Sequence, residues 1–188
     1  MKKFLIYSIS TILLVLIGGY LYITLTPPAS PLGSSSLNED GKVITITYSR
    51  PFKKDRLIFG EESDDALVPF NNYWRTGANS HTMIKTDSDL NFNNNILSAG
   101  EYSLYTIPGQ DSWDVAINSD NGFFGIYQPD AADDIFTFNV PVSTLDESVE
   151  QLTIDFVTDS IGSSIRLRWD LTQVLICLLY TSPSPRDS

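Results

Sequence analysis

The sequence predicts an all-β fold, an antiparallel β-sandwich or jelly-roll-like domain, preceded by one N-terminal transmembrane helix. Three observations carry this expectation. Apolar residues alternate with polar ones over several runs of the body, the period of a strand with one buried face. Turn signals rich in Gly, Pro, Asn and Asp separate those runs, with no long amphipathic helical pattern between them. Ahead of the body, 22 residues from Phe4 to Leu25 carry no charge.

The N-terminal segment "MKKFLIYSISTILLVLIGGYLYITLTPPASP" opens on two lysines and runs into Pro27-Pro28, which stop a helix. At about 1.5 Å per residue the uncharged run reaches about 33 Å, enough for a hydrocarbon core of about 30 Å. Tyr20 and Tyr22 suit the interfacial belt, and Lys2 and Lys3 mark residues 1–3 as the cytoplasmic end. A cleaved signal peptide would carry a shorter apolar segment and a small-residue cleavage site. Residues 4–25 are therefore expected to persist as a signal anchor, with everything after them extracytoplasmic.

Residues 26–40 read as a Ser/Pro-rich linker, and residues 41–176 as the sandwich domain. Within it, Ile44, Ile46 and Tyr48 alternate with Thr45 and Thr47, and Trp113, Val115 and Ile117 with Asp114 and Ala116. Leu152, Ile154 and Phe156 form a third such run, and Ile165, Leu167 and Trp169 a fourth. "EYSLYTI" and "IFTFNV" are further β-rich stretches; "LSAGE", "PGQDS", "NSDNG" and "DSIGSS" are turns. "PVSTLDESVEQ" is expected to connect strands, with Ser148 and Glu150 on its wet side.

The final stretch, residues 177–188, "CLLYTSPSPRDS", does not read as the end of a domain. Every codon of a DNA sequence resembling the end of a sequencing-library adapter translates into it, so it is expected to be a non-native tail on a truncated domain. It contains Cys177, the one cysteine of the chain. The body then has no thiol for a disulfide, a nucleophile or a thiolate metal site.

The formal net charge is −11, and leaving out Lys2 and Lys3 takes the exterior to about −13. A surface that acidic repels phosphate backbones, so nucleic acid is not an expected partner.

Asp87, Asp89, Asn91 and Asn93 in "DSDLNFNNN" resemble the start of a calcium loop. Phe92 and Ser98 stand where such a loop needs Gly and a bidentate Glu. Hairpin-capping polar residues are the expectation there. The acid clusters "EESDD" at 61–65 and "DAADD" at 130–134 are expected to be solvated loops, although paired carboxylates could in principle hydrolyse a glycan or ester. His81, the single histidine, cannot build a multi-histidine metal site and is expected at the surface or rim, without a catalytic role. No metal or cofactor is expected.

"WRTGAN" differs in kind. Gly77-Ala78 permits close backbone approach, and Asn79 tolerates a left-handed conformation. Arg75 offers a planar fork for a carboxylate. It serves either to lock the loop onto an acid such as Asp114 or Glu101, or to line a ligand pocket.

Together, "YSRPFKKDRLIFG", "LVPFNNYWRTGANSHTMI", "LSAGEYSLYTIPGQDSWDVAIN" and "FFGIYQPD" resemble the domain of unknown function 2911 family, from about Ala29 to Ile176. The pattern falls on Arg50, Lys54, Arg56, Trp74, Arg75, Gly77, Ala78 and Asn79 among others. It departs at Asp55, where glycine is usual, at Ser80, where glutamate is usual, and at His81, where a small residue is usual. The resemblance implies a β-sandwich of the bacterial envelope, periplasmic or at the cell surface. The expectation is a membrane-anchored binding or scaffolding module with Arg50, Arg56, Trp74, Arg75 and Asn79 as its polar focus. A carbohydrate or peptide is the expected ligand. A glycan- or ester-directed hydrolase using loop carboxylates is the alternative.

Overall fold

The computed structural model describes residues 2–92, 95–121, 125, 127–160 and 162–179. Among these residues one α-helix, α1 (Lys2–Leu25), precedes eleven strands. The strands are β1 (Leu32–Glu39), β2 (Lys42–Ser49), β3 (Phe59–Gly60), β4 (Val68–Pro69), β5 (Thr82–Thr86) and β6 (Leu90–Phe92). There follow β7 (Asn95–Leu97), β8 (Gly100–Pro108), β9 (Ser112–Asn118), β10 (Asp134–Thr158) and β11 (Ser163–Leu179). Nine of them form one antiparallel sheet in the order β1-β2-β5-β8-β9-β10-β11-β6-β7, and β3 and β4 make a small parallel pair beside it.

β10 turns this sheet into two layers. Its 25 residues would span about 80 Å if straight, several times the radius of gyration of about 14 Å expected for a domain this size. It bends instead. Asp134–Pro141 pairs with β9, while Val142–Thr158 pairs with β11 through register shifts between Thr144 and Val149 and between Val149 and Thr153. Backbone bonds from Lys53 to Glu150 and from Leu152 to Pro51 then join the second half of β10 to the chain after β2. The rolled sheet encloses one core, with Ile44 and Ile46 of β2, Val115 and Ile117 of β9, and Ile165 and Leu167 of β11 on its inner face. The expected all-β antiparallel architecture is what forms.

Tyr48 ties the two layers together. Its buried hydroxyl donates to the Ile154 carbonyl (3.0 Å) and accepts from the Ile154 amide (2.7 Å), standing in for a missing ladder partner. Ser35 Oγ also donates to the Ile154 carbonyl, at 2.7 Å.

Two boundaries differ from expectation. Residues 32–39 are not linker: they form β1, paired with β2 from Leu32↔Ser49 to Glu39↔Lys42. The turn is Asp40-Gly41, both at positive φ (53° and 80°), the conformation of a two-residue hairpin loop. At the other end β11 continues past Ile176 through Cys177 to Leu179 and pairs with β6. Cys177 is exposed there and Leu178 is buried at 1% exposure, in step with the alternation before them. Residues 180–188 of the expected tail lie outside the described residues. "PVSTLDESVEQ" is strand throughout, with Ser148 and Glu150 exposed.

α1 is apolar on all sides, and Phe4, Tyr7, Ile12, Leu14 and Val15 are all exposed. Three of its hydroxyls bond back to the helix: Ser8, Thr11 and Thr24 each donate to the carbonyl four residues earlier. Over the residues whose side chains are described, of which the longest run in α1 is 7–22, no helical stretch is long and apolar enough to cross a membrane.

Candidate functional site

The chain from Trp74 to Thr82 is pinned to β8 before it reaches β5. Trp74 and Thr106 exchange both backbone bonds (2.8 and 2.9 Å), and Thr76 Oγ1 lies 3.0 Å from Thr106 Oγ1. Thr82 Oγ1 donates to the Thr76 carbonyl at 2.8 Å, and the Trp74 indole N–H to the Gly77 carbonyl at 3.1 Å. Thr76 and Asn79 take positive φ (55° and 60°) to make this knot. A β-carbon at Gly77 would stand 3.1 Å from the Ser49 carbonyl oxygen, so any larger residue would push the loop a few tenths of an ångström off β2.

The knot forms one wall of a cleft of about 330 Å³. Arg56, Trp74, Arg75 and Asn79, four of the five residues expected at the polar focus, line it together. The fifth, Arg50, is elsewhere: its guanidinium donates to the Leu152 carbonyl (3.2 Å) and Thr153 Oγ1 (3.3 Å), clipping the end of β2 to β10. The cleft adds residues that sequence reasoning did not place in a site: Lys54, Trp169 and, from the expected linker, Ala29 and Ser30. Lys54 stood within a recognised motif. Trp169 carried no signal beyond strand alternation.

The floor is aromatic. Trp74 stacks on Trp169 (centroids 6.0 Å apart, 18° between planes), and Phe59 packs its edge against both. Trp169 is 1% exposed, and its indole N–H has no hydrogen-bond partner among the described residues. A buried donor left in that state costs about 1–3 kcal/mol.

The rim is cationic. Arg56 is held by the Lys53 carbonyl on Nε (3.1 Å) and by the Phe52 carbonyl on Nη2. Arg75 donates from Nη1 to the Asn79 carbonyl at 3.2 Å. Neither of them, nor Lys54, has a carboxylate in ion-pair range among the described residues, whereas Lys53, Lys85, Arg166 and Arg168 do. The expected lock of Arg75 onto Asp114 or Glu101 is absent. Asp114 bonds the Asn139 amide, and Glu101 pairs with Lys85.

No acid lines the cleft among the described residues. Glu62–Asp64 forms an exposed 3-10 turn, Asp130 caps a second such turn, and Asp134 accepts from Tyr105 and Asn118. Asp87 and Asp89 accept from the Val43 and Ala99 amides, capping hairpins, while Asn93 lies outside the described residues.

His81 is buried, against the expectation of a surface position, at 3% exposure. Ser80, next to it, is exposed. Nε2 of His81 lies 3.0 Å from the Tyr73 hydroxyl and 3.2 Å from the Tyr127 carbonyl, and Nδ1 has no partner among the described residues. Among the described residues no nucleophile and no carboxylate bonds this histidine, the two partners a catalytic triad would require. Burial pushes the Tyr73 phenol up to about 12, with the charge of Arg75 pulling weakly the other way. Burial, and then the hydrogen bond to Asp134, also raises Tyr105.

Comparison with curated proteins and with solved structures returns no match. Comparison with protein families returns one: residues 30–178 match the family described as "Protein of unknown function (DUF2911)". That span takes in β1, all of the rolled sheet but Leu179 and all of the cleft lining but Ala29, and the chain belongs to this family.

Proposed function

We propose that this protein is a membrane-anchored, extracytoplasmic binding module that holds its ligand, a carbohydrate or a peptide, in the cleft between Arg56 and Arg75. One observation carries the reading. In a chain of net charge −11, three cations that have no carboxylate partner among the described residues converge on a cleft whose described lining holds no acid. The volume, about 330 Å³, sits at the low end of small-molecule sites, about 300–1,000 Å³. The anchor half rests on α1: 24 residues of helix, about 36 Å long, uncharged from Phe4 to Leu25, with Ser8, Thr11 and Thr24 bonded back to its own carbonyls. Lys2 and Lys3 favour the cytoplasmic side for its start.

The test is thermal melting of the full chain in detergent against panels of oligosaccharides and peptides. A ligand at about a hundred times its Kd adds about 2.7 kcal/mol to the folded state, and Arg75→Ala is expected to remove that gain. If no compound moves the wild type, and Arg75→Ala only lowers its melting point, the cleft is scaffold.

A further inference from the structure

Resting on the reading that the cleft binds a ligand, we infer that the ligand class is a sugar acid, held by its carboxylate at Arg75, Arg56 and Lys54. Arg75 spends one of its donors on the Asn79 carbonyl, which orients the guanidinium and leaves the rest of the fork for a planar anion. Arg56 is gripped by two backbone carbonyls, so its charge is preorganised at the rim. The Lys54 side chain is exposed beside them. Two backbone-held guanidiniums and one flexible ammonium suit a single anionic group better than a neutral ring.

The remaining lining chooses among anions. The Asn79 amide and Ser30 hydroxyl lie in the same cleft as the cations and match hydroxyl groups. Trp169 lines the same cleft and keeps an indole N–H without an acceptor among the described residues, an atom closed to solvent as the cleft stands. A sugar acid carries the carboxylate and the hydroxyls within one ring-sized unit, which a cleft of about 330 Å³ accommodates. A bare phosphate leaves the neutral donors unused. Ala29 lies four positions past the end of α1, so the site meets glycan close to where the chain leaves its helix.

The experiment titrates the full chain in detergent with the trimer of D-galacturonic acid, its methyl ester, an acidic peptide and inorganic phosphate at matched ionic strength. Heat and the indole N–H resonances are the readouts. The acid trimer is expected to bind at least about tenfold more tightly than the ester, a factor worth about 1.4 kcal/mol. The indole signal that Trp169→Phe deletes is expected to shift on binding. Arg75→Ala and Lys54→Gln are expected to weaken the acid and leave the ester unchanged. The exposed Lys54 side chain makes no hydrogen bond or ion pair among the described residues, so Lys54→Gln reads out binding even if Arg75→Ala fails to fold. Equal binding of acid and ester at the cleft overturns the carboxylate inference and leaves the binding module standing. Binding of the peptide or of phosphate alone, lost in Lys54→Gln, overturns the sugar and keeps the anion site. Binding of none of the four overturns this inference, and the binding reading too if the wider panels also fail.

Discussion

Tyr48 and Asp155 are side chains whose chemistry the fold consumes. Tyr48→Phe keeps the ring in the core but leaves the Ile154 amide without an acceptor. A loss of about 1–3 kcal/mol is expected in denaturant unfolding. Asp155 accepts two bonds from Arg166 (2.9 and 2.8 Å) and one from Arg168 (3.0 Å). Burial raises its carboxyl, but those bonds and charges outweigh burial and hold it below the usual range. A depressed folded pKa stabilises above the unfolded value of about 3.9 and loses that contribution as pH falls through the folded value. Melting of the wild type is therefore expected to drop below about pH 4, and Asp155→Asn to flatten part of that slope. A variant with an unchanged acid limb contradicts this assignment. Neither role was legible in the sequence: Tyr48 read as one more inward residue, and the partners of Asp155 depend on the β10–β11 register. The polar focus was legible in kind, because Arg56, Trp74, Arg75 and Asn79 stood in dense motifs. Arg50 stood in the same motifs, and only its position against β10 separates it from them.

Strands with alternating patterns were the easiest elements to read, since inward and outward residues differ in type along β2, β9 and β11. β1 was harder because its sequence, "LGSSSLNE", is polar on both faces and composes like a linker. The signal that could have found it was Asp40-Gly41, a hairpin dipeptide with a β-rich run after it. The end of β11 tests the opposite case, a tail expected to be foreign that nonetheless fits the alternation. Leu178→Asp buries a charge without a partner and is expected to cost several kcal/mol. Cys177→Ser, at an exposed position, is expected to stay within about 0.5 kcal/mol. Equal effects of the two changes in thermal melting would mean that the last residues of β11 do not pack as described.

For the whole molecule, the proposed anchor and the acidic exterior divide the labour of location. The full chain is expected to remain in the membrane pellet through alkaline carbonate washing, and a chain beginning at Ala29 to enter the supernatant. Release of the full chain by carbonate would remove the anchor from the proposal. Beginning at Ala29 rather than after residue 40 matters, because β1 and the lining residues Ala29 and Ser30 belong to the domain. By itself the sequence determined the all-β class, the family resemblance and some of the residue types that line the cleft. Period-2 burial and loop chemistry are local properties, written within a few residues of one another. Tertiary structure alone decided the rest: that β10 bends to serve two layers, that Arg50 clips a strand, and that Lys54 and Trp169 share a cleft with Arg75. Those residues lie far apart along the chain, and their meeting depends on strand register and sheet closure, which no local pattern encodes.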